Sequence, residues 1–178
     1  MKIIILQGSP NAKGSTALLA ESFAKGAEEA GHQVTVIPTA EVDVTPCTGC
    51  VACGYEGPCV LSDAIDEIRE AILSSDMLVF ASPVYYFGMS AQLKAVIDRF
   101  CSFNQSLTEK QLKAALLTVG WEEDPEEYSV MKAYYEALTH YLQMEDCGQV
   151  YGLGCGTPEI TRASKYPEAA YQLGRGLA

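Results

Sequence analysis

Residues 2–16 read Lys2-Ile3-Ile4-Ile5-Leu6-Gln7-Gly8-Ser9-Pro10-Asn11-Ala12-Lys13-Gly14-Ser15-Thr16, and this stretch decides the fold. An almost uninterrupted apolar strand leads directly into a turn of small and hydroxyl residues. A segment of helical period follows, with Leu19, Phe23 and Ala27 on one face. Strands that are apolar on both sides are typical of parallel sheets covered by helices on both faces. The stretch therefore predicts the first strand and crossover helix of such a sheet.

The same alternation of apolar strands and helical segments continues along the chain. The five predicted strands are Lys2–Gln7, Gln33–Pro38, Asp76–Ser82, Ala114–Gly120 and Gly148–Gly154. Apolar residues at helical spacing predict three more helices around residues 65–72, 93–100 and 131–142, and Pro167 begins a last one. Asp124 is the expected N-cap of the helix that contains Met131. The pattern predicts an α/β fold with a doubly wound five-stranded parallel sheet.

Composition limits the class of protein and its partners. A chain of 178 residues with 48% hydrophobic content can bury one substantial core, so we expect a single domain over residues 1–178. The formal net charge of -11 argues against nucleic acid as a partner, because phosphate contacts need a basic surface. No apolar run is long enough to span a membrane, and the first residues do not resemble a secretory signal. We therefore expect a cytoplasmic protein with no membrane contact.

The turn after the first strand has the composition of an anion site. Small and hydroxyl residues in Gly8–Thr16 let backbone N–H groups and a helix N-terminus close around a phosphate. The turn is neither a P-loop nor a G-x-G-x-x-G dinucleotide turn. Its position after the first strand favours ligand binding, since doubly wound sheets bind ligands at the carboxyl ends of their strands.

The loop after the third strand places three aromatic side chains at the same edge of the sheet. It reads Ser82-Pro83-Val84-Tyr85-Tyr86-Phe87-Gly88. Exposed aromatic side chains are costly unless they cover something, and a planar ring could lie against this segment while its phosphate occupies the first turn. A subunit interface is the alternative explanation for these aromatics, and the two roles are compatible.

Four cysteines lie within thirteen residues in a loop at residues 46–61. They are Cys47, Cys50, Cys53 and Cys59, in the spacing C-x2-C-x2-C-x5-C. In a reducing compartment this density indicates a metal site or redox chemistry, and the spacing favours an iron-sulfur cluster. Zinc, which usually takes two separated pairs of ligands, and a redox-active disulfide within a C-x-x-C pair remain alternatives. The isolated Cys101, Cys147 and Cys155 are expected to be small core residues.

These motifs together resemble the flavodoxin-like superfamily, in its NAD(P)H-dependent FMN reductase branch, and within that branch the iron-sulfur flavoproteins. The resemblance spans about residues 1–100. It rests on Gly8-Ser9-Pro10 with Gly14-Ser15-Thr16, on Ser82-Pro83-Val84-Tyr85-Tyr86 followed by Leu93-Lys94 and Asp98-Arg99, and on the cysteine run followed by Ser62-Asp63. It implies a sheet of order 2-1-3-4-5.

The resemblance also implies cofactors and the residues that hold them. The FMN phosphate would bind Ser9, Asn11, Lys13, Ser15 and Thr16, and the isoalloxazine ring would lie on Pro83, Val84, Tyr85, Tyr86, Phe87 and Gly88. Cys47, Cys50, Cys53 and Cys59 would ligate a 4Fe-4S cluster. We expect this cluster on the flavin side of the domain, because the loop after the second strand borders the first turn. No catalytic side chain is assigned, since the cofactors carry the chemistry.

Three functions remain open at this point. The first is a flavin-dependent oxidoreductase that passes electrons between a 4Fe-4S cluster and FMN. The second is an NAD(P)H-dependent FMN or quinone reductase whose cysteines are structural, and the third is a non-enzymatic electron carrier or redox sensor. The expected partners are NAD(P)H or a redox protein such as a ferredoxin as donor and a small-molecule acceptor. The resemblance also implies a homodimer or dimer of dimers, with the helix of residues 93–100 in the interface.

Overall fold

The fold is known from a computed structural model that describes residues 1–178. The strands are β1 (Lys2–Gln7), β2 (Gln33–Pro38), β3 (Met77–Pro83), β4 (Lys113–Val119) and β5 (Glu145–Gly152). The helices are α1 (Ser15–Glu29), α2 (Ile65–Leu73), α3 (Ala91–Asp98), α4 (Asn104–Lys110), α5 (Ser129–Tyr141), α6 (Pro158–Ala163) and α7 (Tyr166–Arg175). Two 3-10 segments, Arg99–Phe103 and Pro125–Tyr128, precede α4 and α5.

The five strands form one parallel sheet in the order β2-β1-β3-β4-β5. In this sheet β1 lies between β2 and β3, with Lys2 opposite Gln33 of β2 and Ile3 opposite Met77 of β3. The pairing of β4 with β5 is irregular between Ala114 and Leu116. The predicted doubly wound sheet and its strand order are therefore confirmed.

Helices cover both faces of the sheet and enclose two separate apolar cores. Along β1, Ile4 and Leu6 point into one core and Ile3 and Ile5 into the other, as the alternation of side chains along a strand requires. The first core is filled from α2, α3, α4 and α5, and the second from α1 and α7. Strands buried on both faces explain why the sequence of β1 is continuously apolar.

Helices α1 and α7 pack closely because each has a glycine that faces the backbone of the other helix. A Cβ atom at Gly174 would lie 2.2 Å from the carbonyl oxygen of Phe23, and one at Gly26 would lie 2.1 Å from that of Tyr171. Any larger residue at either position would push the helices apart. The last helix thus covers the sheet by direct contact with the first.

Most predicted bounds agree with the structure, and the larger differences lie in the second half of the chain. β1 and β2 have the predicted limits, and β3 and β4 are shifted by one residue. β5 begins at Glu145 and ends at Gly152 rather than spanning Gly148–Gly154. The short helices α4 and α6 were not predicted. The Asp124 side chain accepts a hydrogen bond of 3.0 Å from the Glu126 N–H, but it caps the 3-10 segment that precedes α5.

No helix of the chain has both the length and the apolar character that a membrane span requires.

Candidate functional site

The turn after β1 is held in shape by its own hydrogen bonds. The Asn11 N–H donates to Ser9 Oγ at 3.2 Å, the Lys13 N–H donates to Asn11 Oδ1 at 3.1 Å, and the Gly14 N–H donates to the Asn11 carbonyl oxygen at 3.0 Å. The donors and acceptors of these three hydrogen bonds all lie within the turn. They also fix the direction in which α1 begins.

The start of α1 leaves backbone donors free toward the carboxyl edge of the sheet. Gly14 is its N-cap and supplies no capping side chain, so the first N–H groups of the helix have no side-chain acceptor at the cap. The hydroxyl of Ser15 is hydrogen-bonded to that of Thr161 in α6 at 2.8 Å, which ties this end of α1 to the C-terminal part of the chain. Free N–H groups and the positive end of the helix dipole favour an anion here.

The loop after β3 ends in a tight two-residue hairpin with two aromatic residues at its tip. The N–H groups of Tyr85 and Gly88 each donate to the other's carbonyl oxygen, at 3.0 and 3.1 Å. The central residues Tyr86 and Phe87 have φ values of 47° and 68°, a left-handed conformation that usually requires glycine or asparagine. The Tyr86 side chain is fully exposed. Holding two aromatic residues in this conformation costs free energy, which indicates a functional reason for them.

Serine hydroxyls fasten the ends of this aromatic loop to the turn after β1. Ser90 Oγ donates to the Gly8 carbonyl oxygen at 2.6 Å and accepts from the Leu93 N–H at 3.3 Å, so it also caps α3. The Ser90 N–H donates to Ser82 Oγ at 3.0 Å. All three contacts are buried, and they hold the two loops side by side.

Loops after β4 and β5 close the other side of the same edge. The Trp121 ring, 71% exposed, lies against the backbone of Gly156, where an added Cβ would be 2.3 Å from a ring atom. The Tyr128 hydroxyl donates to the Glu122 carbonyl oxygen at 3.0 Å, and this hydrogen bond holds the loop that contains Trp121. Burial, with a smaller effect of Cys155, raises the pKa of Tyr128 to about 12, which keeps this hydroxyl protonated.

Two adjoining pockets result at the carboxyl edge. The first has a volume of about 150 Å³ and is lined by Ser9, Asn11, Gly14, Ser15, Thr16, Pro83, Val84, Tyr85, Val119, Gly120, Trp121, Cys155, Gly156 and Pro158. The second has a volume of about 290 Å³ and is lined by Val84, Tyr86, Phe87, Gly120, Trp121, Glu122, Glu127 and Tyr128. We call them the polar pocket and the aromatic pocket. Val84, Gly120 and Trp121 line both, so a single ligand can reach from one into the other.

The predicted FMN residues therefore come together, with two exceptions. Ser9, Asn11, Ser15 and Thr16 line the polar pocket beside Pro83, Val84 and Tyr85, while Val84, Tyr86 and Phe87 line the aromatic pocket. Lys13 and Gly88 line neither. Lys13 is exposed, and Gly88 closes the hairpin.

Sequence reasoning missed the wall formed after β5. Cys155, Gly156 and Pro158 line the polar pocket, and Cys155 is buried as expected of an isolated cysteine. The rule that ligands bind at the carboxyl ends of strands could have pointed to this segment, since it follows the last strand. The residues present fit FMN, because unpaired N–H groups adjoin an apolar, aromatic cavity.

The cysteine loop leaves and rejoins the fold at one place. The Ala64 N–H donates to the Asp43 carbonyl oxygen at 3.0 Å, and the Thr45 N–H donates to Asp63 Oδ2 at 3.0 Å. Residues 46–62 between these bonds contain no helix or strand. The loop is thus a compact excursion whose two ends are joined.

All four predicted ligands line one pocket of about 300 Å³, which we call the cysteine pocket. Its lining includes Cys47, Cys50, Cys53, Cys59, Leu61, Asp98 and Cys101. No three Cys, His, Asp or Glu side chains of the chain are arranged around one point as a single metal ion requires. A four-iron cube holds its cysteine sulfurs at separate corners, so it does not need that arrangement. Four thiols around one cavity are a donor set that fits such a cluster.

Cys101 was expected to be a small core residue, and this is wrong. It is only half-buried and lines the cysteine pocket, with its Sγ 3.8 Å from Cys47 Sγ. Burial, reinforced by Cys47 and Cys53, raises the pKa of Cys101 to about 12. By contrast, the N–H of Ala52 lowers the pKa of the exposed Cys50 thiol, which favours the thiolate that binds metals.

The cysteine pocket is separate from the two pockets at the carboxyl edge. It shares no lining residue with the polar or aromatic pocket, and it includes Asp98 and Cys101 at the C-terminal end of α3. Ser90, at the N-terminal end of α3, contacts the turn after β1. Along α3, which rises about 1.5 Å per residue, Ser90 and Asp98 are about 12 Å apart. The expected position of the cluster, beside the first turn, stays a prediction.

Comparison with known proteins gives the family. Residues 1–129 match the family described as NADPH-dependent FMN reductase, a segment that includes the turn after β1, the aromatic loop and the cysteine loop. The chain belongs to the NADPH-dependent FMN reductase family. Iron-sulfur flavoproteins are among the relatives of this chain. One, from Methanocaldococcus jannaschii, is 39% identical over 99 residues, which cover 56% of this chain and 51% of that protein.

A second relative matches along almost its full length. The protein YwqN of Bacillus subtilis is 30% identical over 183 residues, covering 97% of this chain and 96% of YwqN. Its name assigns it provisionally to NAD(P)H-dependent FMN-containing oxidoreductases. The alignments with two iron-sulfur flavoproteins, in contrast, cover only about half of those proteins, 51% and 50%.

Solved structures confirm the fold. The NAD(P)H:quinone oxidoreductase from Methanothermobacter marburgensis superimposes with a TM-score of 0.78 at 20% identity, covering 98% of this chain and 94% of that chain. At this identity the likeness shows a flavodoxin-like fold.

Proposed function

We propose that this protein is an FMN-dependent oxidoreductase that exchanges electrons between FMN and a 4Fe-4S cluster. One observation carries the flavin part: the polar and aromatic pockets adjoin at the carboxyl edge and share Val84, Gly120 and Trp121. A phosphate and a planar ring on one molecule need this combination of free backbone donors and aromatic walls. Family membership over residues 1–129 supports the same cofactor.

FMN supplies the redox chemistry, and the chain's residues bind and orient it. The N-terminus of α1 with Ser15 and Thr16 holds the phosphate, although the chain as a whole carries a net charge of -11. The local dipole and N–H groups therefore provide the attraction that the overall charge does not. Tyr86 and Trp121 cover the ring from two loops and exclude water from it.

The cluster part rests on the cysteine pocket. Cys47, Cys50, Cys53 and Cys59 surround one cavity, and several relatives are named iron-sulfur flavoproteins. Arg99 lies near Cys59, and the buried Nε–H of Arg99 has no hydrogen-bond acceptor within the chain. A donor beside the cysteine sulfurs is one of the means by which proteins tune clusters.

A second candidate function is an NAD(P)H-dependent FMN or quinone reductase with structural cysteines. It is favoured by the near full-length match to YwqN. The aromatic pocket is open and apolar enough for a nicotinamide or quinone ring to approach the flavin. NAD(P)H or a ferredoxin-like protein as donor, a small-molecule acceptor and a homodimer or dimer of dimers are part of this proposal. A cytoplasmic location stays a prediction.

The deciding experiment is anaerobic purification followed by flavin, iron and acid-labile sulfide assays on one sample. We expect one FMN, four irons and four sulfides per chain. Flavin without iron or sulfide, together with steady NADPH oxidation by a quinone that Cys47→Ala leaves unchanged, would establish the second candidate instead. A chain that binds no flavin would refute both.

A further inference from the structure

A fifth thiol faces the cysteine pocket from outside the cysteine loop. Cys101 Sγ lies 3.8 Å from Cys47 Sγ, the one sulfur–sulfur hydrogen bond of the chain. The Cys53 thiol donates to the carbonyl oxygen of Cys101 at 3.7 Å. Cys101 therefore contacts two of the proposed ligands, although it lies 54 and 48 residues further along the chain than they do.

The two members of the close pair differ in how they are held. Cys101 lies in the 3-10 segment Arg99–Phe103, between the buried Phe100 and Ser102, and this segment is fixed to the core. Cys47 lies on the loop, outside any helix or strand. A disulfide has a sulfur–sulfur distance of about 2.05 Å, so the pair must close by roughly 1.8 Å. Side-chain rotation of Cys47 on its loop is a movement of that size.

We infer that Cys47 and Cys101 form a thiol–disulfide exchange site, which low-molecular-weight disulfides oxidise when the cysteine pocket holds no cluster. The Cys47 thiolate attacks one sulfur of the small disulfide, forms a mixed disulfide and releases one small thiol. The Cys101 thiol loses its proton and attacks the Cys47 sulfur, which releases the second small thiol and leaves the Cys47–Cys101 bond. The protein loses two electrons and two protons, and the small disulfide gains them.

Cluster binding and this disulfide then compete for Cys47. This consequence rests on the proposed function, in which Cys47 is a cluster ligand. A chain in the disulfide form offers only three of the four ligands and cannot complete the cluster until a thiol reduces it. The disulfide itself requires only the geometry of the two thiols.

The test uses the full chain, purified with an iron chelator, reduced under argon and then exposed to glutathione disulfide. Free thiols are alkylated, and trypsin separates residues 26–69 from residues 100–110, which carry Cys47 and Cys101 respectively. Mass spectrometry should find these two peptides linked. Residues 26–69 hold all four loop cysteines, so variants identify the partner.

We expect the link to disappear in Cys47→Ser and in Cys101→Ser and to persist in the matched control Cys50→Ser. A link that persists in Cys47→Ser, or a wild-type chain with disulfides only inside residues 26–69, would overturn the inference. Unchanged thermal unfolding of the reduced variants shows that they fold.

A second arm separates this inference from the proposed cluster. The reduced chain is loaded with iron and sulfide under argon before it meets glutathione disulfide. The yield of linked peptides should fall in proportion to the iron bound, and an undiminished yield in iron-loaded chains would contradict the competition. If the chain binds no iron at all, the cluster proposal fails, while the link in the cluster-free chain still decides the exchange site.

Discussion

The carboxylate of Asp63 accepts a hydrogen bond of 2.7 Å from the guanidinium of Arg99, and both side chains are almost wholly buried. The same guanidinium donates to the carbonyl oxygens of Thr45 at 2.7 Å and Leu61 at 3.1 Å. Arg99 follows α3, while Thr45 and Asp63 flank the cysteine loop on its two sides and Leu61 lies near the loop's end. One buried ion pair therefore anchors the cysteine loop to the helical layer.

Replacing Asp63 should cost a large fraction of the protein's stability. The variant Asp63→Asn leaves the Arg99 charge buried without its counter-ion, a loss of about 3–5 kcal/mol in the free energy of unfolding. Urea denaturation at neutral pH measures it. The control is Lys94→Ala, which removes the exposed pair of Lys94 with Asp98 on α3 and should cost no more than about 1 kcal/mol. Equal losses in the free energy of unfolding for the two variants would show that the buried ion pair stabilises the protein no more than the exposed one.

The same pair should make stability depend on acidic pH. Burial alone would raise the pKa of Asp63, but hydrogen bonds from Arg99 and from the Ile65 and Thr45 N–H groups outweigh it and hold that pKa below its ordinary value. A depressed pKa contributes stability that is complete above the unfolded value of about 3.9 and disappears as pH falls through the folded value. Denaturation measured downward from pH 5 should show this loss in the wild type and a shallower one in Asp63→Asn.

The proposed phosphate site should discriminate FMN from riboflavin, which lacks the phosphate. Ser15→Ala removes a hydroxyl that lines the polar pocket, and a lost hydrogen bond to a charged group is worth about 1.5–3 kcal/mol. The dissociation constant for FMN should therefore rise by at least about tenfold while that for riboflavin stays constant. Flavin fluorescence quenching measures both.

The matched control for this experiment lies on the same helix. Ser22→Ala removes a hydroxyl that donates to the Leu18 carbonyl oxygen within α1, away from both pockets. It should leave both affinities unchanged. Equal losses for FMN and riboflavin in Ser15→Ala would place the phosphate elsewhere.

The strained aromatic hairpin should show opposite effects on stability and on flavin binding. Tyr86→Asn introduces a residue that tolerates positive φ and removes a fully exposed ring. The free energy of unfolding of the cofactor-free protein should therefore rise by up to about 1 kcal/mol. Loss of stacking should weaken FMN binding by about 0.5–1.5 kcal/mol. Tyr86→Phe keeps the ring and should bind FMN as the wild type does. A fall in oligomer mass without any change in FMN affinity would assign the ring to a subunit interface.

Because α1 and α7 are in close contact, a glycine-to-alanine substitution in α7 should lower the stability of the protein, although this substitution usually raises it in a helix. Alanine for glycine inside a helix usually stabilises by about 1 kcal/mol. At Gly174 the new Cβ would lie 2.2 Å from the Phe23 carbonyl oxygen, so Gly174→Ala should destabilise by about 1–3 kcal/mol. Gln172→Ala, on the exposed side of α7, should change stability by less than about 0.5 kcal/mol. Stabilisation by Gly174→Ala would mean that the helices pack less closely.

The sequence predicted the sheet because its central strands are apolar at nearly every position, and periodicity detects such strands well. It failed at β5, where Glu145 and Asp146 are exposed on an edge strand and give no apolar signal. The short helices α4 and α6 have one buried residue each, Leu107 and Thr161, and therefore no apolar stripe. Both failures follow from elements that bury little surface.

For the candidate sites, the sequence predicted the residues that lie in continuous local motifs. It did not predict the residues that only long-range contacts bring to the pockets. The turn after β1 and the aromatic loop are continuous segments whose composition indicates their position. Cys101 and Gly156 reach their pockets only through tertiary packing, which no local spacing records. The anchoring of the cysteine loop is likewise a long-range contact, that of Arg99 with Asp63.

The joined ends of the cysteine loop make it a replaceable cassette. Residues 46–62 begin and end beside the bonds between Asp43 and Ala64 and between Thr45 and Asp63, and none of them lies in a strand of the sheet. Exchanging this segment would therefore replace the proposed cluster ligands without touching a residue that lines the polar or aromatic pocket. The loop is thus a place where protein engineers can graft a different insert.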